Sequence, residues 1–93
     1  MITSIILIHC DRNSINQVAE QLVAIESISE VYSVSGNYDL VAIVRVRNND
    51  DLATLVTEEM RHIDGIENTE TMLAFKAYSK HDLESMFSVG GDF

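Results

Sequence analysis

The sequence predicts one α+β domain, in which two amphipathic helices alternate with four strands in the order βαββαβ. The chain has 93 residues, which is enough for one compact hydrophobic core and too few for two. Its hydrophobic content is 46% and it contains no proline, so helices and strands can fill most of its length. We expect the domain to span residues 1–80, and residues 81–93 to form a tail or a short helix.

The first half of the chain predicts a strand, a helix and a second strand. Residues 2–8 are apolar and rich in β-branched side chains, which is typical of a buried strand. Asn13 or Ser14 is expected to cap the helix that follows. The loosely alternating residues 28–35 predict the second strand. Apolar residues at helical spacing define the buried face of the helix: Ile15, Val18, Leu22 and Ile25.

The second half repeats this layout, which indicates a weak internal repeat. Gly36 and Asn37 predict a hairpin because both tolerate a positive φ, and residues 38–46 predict the third strand. A second helix with an acidic first turn is expected to end at Gly65, before a fourth strand over residues 66–78. Its apolar face comprises Leu52, Leu55, Val56, Met60 and Ile63. Right-handed crossovers put both helices on one face of a four-stranded antiparallel sheet, which is the ferredoxin-like architecture.

Two of the predicted strands carry apolar side chains on both faces, in segments 5–8 and 40–44. A sheet that is covered by helices on one side only normally alternates apolar and polar residues. A lone copy would therefore expose a larger apolar patch than soluble monomers usually tolerate. We expect a two-fold homodimer that packs sheet to sheet. The alternative is that the C-terminal segment folds over the open face.

The charge and the cysteine content exclude several classes of partner. Fifteen acidic and six basic residues give a net charge of −9, whereas nucleic-acid binding needs a basic face that neutralises phosphates. An anionic membrane surface is disfavoured for the same reason, and no apolar run approaches the ~20 residues that cross a bilayer. A single cysteine, Cys10, fits a reducing compartment. We therefore expect a cytoplasmic domain that binds neither nucleic acid nor a membrane directly.

No motif in the sequence predicts catalysis or metal binding. The three histidines lack metal-ligand spacing, and the adjacent His9 and Cys10 point to opposite faces of a strand. Phosphate-binding loops, nucleophile elbows and zinc-protease motifs do not occur. We expect no cofactor, no metal and no enzymatic activity. The alternative from the enzyme class is a small dimeric α+β barrel of the monooxygenase or isomerase type, whose chemistry would have to come from His9, His62, Tyr32 or Tyr78.

The segment from Gly36 to Asp39 has groups that complement an α-amino acid. A turn at Gly36 can present backbone N–H groups to a carboxylate. Asp39 offers a carboxylate for an ammonium group, and Tyr38 offers a flat apolar wall with a hydroxyl. On these residues alone, a hairpin required only by the fold is the stronger interpretation.

Three segments together resemble the effector-binding domain of the Lrp/AsnC family, also called the RAM domain. They are ISEV at 28–31, VSGNYDLV at 34–41 and IDGIENTET at 63–71. The resemblance covers about residues 2–80, which is nearly the whole chain. It implies a βαββαβ domain that dimerises through its sheet and often forms rings of dimers. In this family small effectors, usually amino acids, bind near contacts between dimers.

The resemblance also implies roles for individual residues. Gly36, Asn37, Tyr38 and Asp39 match the loop that holds the backbone of the effector. Thr69 and Thr71 match threonines of the fourth strand that lie near the effector side chain. These six residues are the candidate ligand-binding site.

One departure from the family concerns DNA. Regulators of this family carry a helix-turn-helix domain upstream, whereas this chain starts at the first predicted strand. With the charge of −9, this leads us to expect that the chain does not bind DNA by itself, and that it senses a metabolite or co-assembles with a full-length Lrp/AsnC regulator. An ACT-type amino-acid sensor is a further alternative. It ranks lower because the glycine that follows the first strand in ACT domains is replaced here by residues 10–13, CDRN.

Overall fold

The computed structural model describes residues 1–78 and residue 80, and residues 81–93 with their predicted tail or short helix lie outside this range. The described chain forms four strands and two helical segments in the predicted βαββαβ order. The strands are β1 (Ile2–Cys10), β2 (Ile28–Ser33), β3 (Leu40–Val46) and β4 (Ile66–Leu73). Helix α1 is Ile15–Val23, and the second helical segment begins with α2, Asn49–Thr54.

The four strands form one antiparallel sheet in the order β2-β3-β1-β4. The central strand β1 pairs with both β3 and β4, so that Ile6 lies opposite Ala42 on one side and Thr71 on the other. Both helical segments contribute to the same core on one face of the sheet. This is the predicted ferredoxin-like α+β fold.

The core lies between this face of the sheet and the helices. Alternate residues of β1 and β3 are buried because successive side chains of a strand point to opposite faces. The fully buried apolar side chains are Ile6, Ile8, Val18, Leu22, Leu40, Ala42, Val44 and Leu55. Ser4 is buried among them, and its hydroxyl donates a hydrogen bond to the carbonyl of Met72 at 2.8 Å. The one buried polar side chain among the described residues is thus satisfied.

The second helical segment changes its winding along its length. Asn48 caps α2, since its side chain accepts a hydrogen bond from the N–H of Asp51 at 2.8 Å. A π-helical turn (Leu55–Glu59) and a 3-10 turn (Met60–His62) follow. In the π turn, the N–H of Met60 donates to the carbonyl of Leu55. This wider turn brings both side chains, five residues apart, to the core face, where a regular α-helix would separate them.

The predicted cap of the first helix is wrong. Ser14 occupies the N-cap position of α1, but its side chain makes no capping hydrogen bond. Asp11 caps the chain instead, since its carboxylate accepts from the N–H of Asn13 at 3.2 Å and begins a 3-10 turn, Arg12–Ser14. The short 3-10 turn moves the cap upstream of the residues predicted for it.

The fourth strand is shorter than the predicted span of residues 66–78. It pairs with β1 as far as Ser4 opposite Leu73, and the N–H of Ala74 donates to the carbonyl of Thr3 at 2.9 Å. Beyond that point β1 has almost no residues left to pair with, so β4 ends although the apolar pattern continues. Phe75 and Tyr78 are 98% and 75% exposed.

The face of the sheet opposite the helices, which we call the open face, is apolar at its centre. The half-buried side chains there come from β1 and β3, and the exposed Tyr32 and Met72 flank them. The central residues are Ile5, Leu7, Val41 and Ile43. The predicted sheet-to-sheet dimer would cover this face. The alternative, a C-terminal segment folded over it, depends on residues 81–93, which lie outside the described residues.

Candidate functional site

The candidate site begins at the connection between β2 and β3. Two backbone hydrogen bonds hold it: the N–H of Val34 donates to the carbonyl of Asp39 at 3.1 Å, and the N–H of Asp39 donates to the carbonyl of Ile8 at 2.9 Å. Gly36 has a φ of +108°, a conformation that side chains disfavour. A Cβ built at Gly36 has no neighbour within 4 Å, so the turn is open around this residue.

Asp39 ties this connection to the end of β1. Its Oδ2 accepts a hydrogen bond from the N–H of Cys10 at 2.9 Å and lies 3.8 Å from Nδ1 of His9. Its Oδ1 receives no hydrogen bond from the residues that the structure describes. The carboxylate therefore has a structural role, and its second oxygen keeps its capacity to accept a hydrogen bond.

Tyr38 is held by two residues that the sequence did not single out for this site. Its ring stacks on His9, with centroids 4.4 Å apart and planes at 26°. Its hydroxyl donates a hydrogen bond to Oε1 of Glu70 at 2.7 Å, and this bond raises the pKa of Tyr38, helped by partial desolvation. The contacts join β1, the hairpin and β4. Only the pairing register between strands brings them together, so a sequence pattern could not have predicted them.

The two threonines lie on the other face of the sheet. Thr69 is opposite Ile8 and Thr71 is opposite Ile6, and both isoleucines point into the core. Glu70 alternates with them and therefore lies on the open face with Tyr38. A single chain, as far as the structure describes it, does not gather the six candidate residues into one cavity.

Thr69 lines a cleft between the second helical segment and β4. The cleft has a volume of about 400 Å³ and carries one cationic side chain, that of Arg61. Its apolar wall consists of Val56, Met60, Ile63 and Ile66. Thr71 is exposed and does not line this cleft. The two predicted threonines thus differ in their surroundings.

The described residues do not form a metal site, and they separate Cys10 from His9. No group of three or more histidine, cysteine, aspartate or glutamate side chains within them could hold a metal ion. Cys10 is buried in the core, which raises the pKa of its thiol, whereas His9 is half-exposed on the open face. None of the described helices has the length and apolar character that a membrane crossing would need.

Comparison with known proteins gives the family. The family model described as "Lrp/AsnC ligand binding domain" matches residues 3–83. A transcriptional regulator of the HTH type from Pyrococcus abyssi is 37% identical over 76 residues, which are 78% of this chain and 51% of that protein. The regulator FL11 of Pyrococcus furiosus is 33% identical over 79 residues, 85% of this chain and 52% of FL11. The chain thus spans about half the length of these regulators, whose names agree with the prediction that it is not an enzyme.

One relative of a different kind is the homocitrate synthase of Sulfolobus acidocaldarius. It is 32% identical over 76 residues, which are 81% of this chain but only 16% of the synthase. The match is therefore confined to a small part of that enzyme.

Solved structures show the same fold. The protein TTHA0845 from Thermus thermophilus has a TM-score of 0.80 and 41% identity, covering 86% of this chain and all of that one. AsnC of Escherichia coli has a TM-score of 0.79 at 22% identity, covering 84% of this chain and 53% of AsnC. A Neisseria meningitidis regulator, solved as a complex with L-Met, has a TM-score of 0.76 at 9% identity, covering 84% of this chain and 52% of that one. The family model, the related regulators and the fold agree, and the chain belongs to the Lrp/AsnC family as its ligand-binding domain.

Proposed function

We propose that this domain binds a free α-amino acid at the hairpin between β2 and β3, and that it forms oligomers but does not bind DNA by itself. The observation that supports this most directly is the chemistry of the hairpin. The backbone is open around Gly36, where N–H groups can meet a carboxylate. Oδ1 of Asp39 is available to an ammonium group, and the ring of Tyr38 provides a fixed wall beside it.

A second copy completes the proposed site. Thr69 and Thr71 lie on the helix face of the sheet, and Tyr38 lies on the open face, so a small effector cannot reach both within one protomer. The apolar centre of the open face favours a sheet-to-sheet dimer. Further contacts between dimers, in a ring, would then bring the hairpin of one protomer to the threonines of another.

The acidic surface supports the part of the proposal that concerns DNA. With a net charge of −9, the chain lacks the excess of basic residues that phosphate contacts require. We therefore propose that a partner supplies DNA binding, and that this partner is a full-length Lrp/AsnC regulator that shares the same domain.

Isothermal titration against the twenty common amino acids tests effector binding directly. Methionine is of particular interest in this panel, because a regulator of the same fold was solved in complex with it. Asp39→Asn is the matched variant, since its amide oxygen can still accept from the N–H of Cys10 while the charge is lost. We expect this variant to keep its melting temperature and to bind about 10- to 100-fold more weakly. Glu58→Ala, at an exposed helical position, should leave affinity unchanged.

Absence of heat with every amino acid would refute the effector part of the proposal. Light scattering tests the oligomeric part separately, because a 10.4 kDa species at micromolar concentration would show that the chain is a monomer. A mobility-shift assay tests the DNA part of the proposal. A mixture of the domain with a full-length Lrp/AsnC regulator should retard the promoter DNA of that regulator, whereas the domain alone should not retard the same DNA.

A second candidate function is suggested by the homocitrate synthase match. A domain of this family within an enzyme could place that enzyme under effector control, and the present chain would then act on an enzyme rather than on a regulator. Chemical crosslinking in the native host followed by mass spectrometry separates the two functions. A crosslink to a helix-turn-helix regulator supports the first, and a crosslink to a biosynthetic enzyme supports the second.

A further inference from the structure

We propose that Glu70 and His9 are positioning residues, which hold the ring of Tyr38 in place at the effector site without touching the effector. This inference rests on the proposed function and deepens it, because it names residues outside the family-matched hairpin on which affinity depends. We call the three side chains the Tyr38 clamp.

The geometry of the clamp follows from the register between β1 and β4. Leu7 lies opposite Glu70 and His9 opposite Asn68, so Glu70 and His9 lie diagonally across from each other on the open face. Tyr38 bridges them, with its ring 4.4 Å from that of His9 and its hydroxyl 2.7 Å from Oε1 of Glu70. The hairpin is thereby fixed to two strands that are distant from it in the sequence.

The two contacts restrain different motions of the same side chain. Tyr38 has two rotatable side-chain bonds, so that both the position of its ring and the orientation of the ring plane can vary. The stack on His9 fixes the plane of the ring, and the hydrogen bond to Glu70 fixes the direction in which the hydroxyl points. Asp39, the next residue, is fixed by the N–H of Cys10. A wall that is rigid before the ligand arrives binds more tightly, because less conformational entropy is lost on binding.

The charges around the clamp support a positioning role for Glu70. Within the part of the chain that the structure describes, no lysine, arginine or histidine forms an ion pair with Glu70, and the hydroxyl of Tyr38 is its hydrogen-bond partner. If Glu70 acted by attracting the ammonium group of the effector, its charge would be essential. If it acts through Tyr38, an uncharged acceptor at the same place should suffice.

Glu70→Gln and Glu70→Ala distinguish these two roles. Isothermal titration with the tightest amino acid of the panel should show that Glu70→Ala and Tyr38→Phe each weaken binding by about three- to tenfold. The double variant should bind the effector no more weakly than either single variant, because both substitutions remove the same hydrogen bond. Glu70→Gln and the control Glu58→Ala should stay within about twofold of the parent. Additive losses in the double variant, or a Glu70→Gln as weak as Glu70→Ala, would overturn the positioning role.

A measurement without effector tests the clamp itself. Ultraviolet titration of the phenols should assign one titration step to Tyr38, because this step is missing in Tyr38→Phe. The pKa of this step should fall in Glu70→Ala. An unchanged titration would overturn the clamp. A change of oligomeric state in Glu70→Ala would overturn the positioning role, since the loss of affinity would then follow from the assembly and not from the position of Tyr38. If no amino acid of the panel bound, the proposed function would be refuted and the clamp would have no effector site to support. The ultraviolet titration would still report whether Tyr38 and Glu70 are in contact.

Discussion

Gly65→Ala and Gly36→Ala place the same methyl group at two glycines with almost the same φ, +103° and +108°. Their surroundings differ. A Cβ at Gly65 would lie 3.0 Å from Cγ2 of Val18, a fully buried side chain of α1, and 3.2 Å from Cβ of Ser14. A Cβ at Gly36 would meet no atom within 4 Å. The pair therefore separates the cost of the backbone conformation from the cost of overpacking.

The magnitudes follow from these two costs. A positive φ at a residue with a side chain costs about 1–2 kcal/mol, and this applies to both variants. Forcing a methyl group against a packed core adds about 1–3 kcal/mol, and this applies only to Gly65→Ala. We expect a loss of about 1–2 kcal/mol in the free energy of unfolding for Gly36→Ala and of about 2–5 kcal/mol for Gly65→Ala.

Urea unfolding and calorimetry at equal protein concentration measure the difference, since an oligomer has a concentration-dependent stability. A difference of 1 kcal/mol corresponds to about 4–8 °C in Tm for a domain of this size. Gly36→Ala should also weaken effector binding, because the methyl group lies on the hairpin, whereas the folded fraction of Gly65→Ala should bind normally. If Gly36→Ala lost as much stability as Gly65→Ala, the packing part of the reasoning would be wrong.

Three further predictions concern the open face, a helix cap and the cysteine. Ile43→Asp puts a charge at the centre of the open face, opposite Ile5 on β1 and Glu30 on β2. Light scattering should then show a monomer in place of a dimer, while the circular dichroism spectrum stays unchanged. A dimer that persists would exclude this face as the interface. Asn48→Ala removes the acceptor for the N–H of Asp51 and should lower the free energy of unfolding by about 1 kcal/mol, whereas Asn48→Asp, which keeps an acceptor, should not. Burial raises the pKa of the Cys10 thiol, so iodoacetamide at pH 8 should alkylate the folded chain far more slowly than the chain in urea, and equal rates would contradict the buried position.

The order of the elements could be predicted from the sequence because it depends on local periodicity. The apolar stripe of α1 corresponds to the observed burial, with Val18 and Leu22 in the core, and the two apolar runs form the central strands β1 and β3 of the sheet. What failed depends on context. The end of β4 is set by where β1 starts, and the cap of α1 by a 3-10 turn that places Asp11 ahead of Asn13. The π turn after Thr54 could not be predicted either. The spacing of the apolar residues does not show it, because the turn depends on how the helix packs on the sheet.

The candidate site was less accessible to sequence reasoning than the fold. The hairpin residues Tyr38 and Asp39 could be proposed from their chemistry and from the family resemblance. Their partners His9, Cys10 and Glu70 could not, because these contacts depend on the long-range pairing of β1 with β4. The resemblance also grouped Thr69 with the hairpin, although the strand alternation places them on opposite faces of one sheet.

That separation leads to a test of whether the site is shared between protomers. Asp39→Asn damages the hairpin half of the proposed site, and Thr69→Val, which keeps the shape of the side chain, damages the threonine half. Each variant alone should bind the effector more weakly than the parent, and Asp39→Asn by about 10- to 100-fold. If each site takes its hairpin and its threonine from different protomers, unfolding and refolding a 1:1 mixture should restore about a quarter of the sites, those in which both halves are intact. If each protomer binds by itself, every copy in the mixture still carries one damaged half, and titration of the mixture should show no recovery at all.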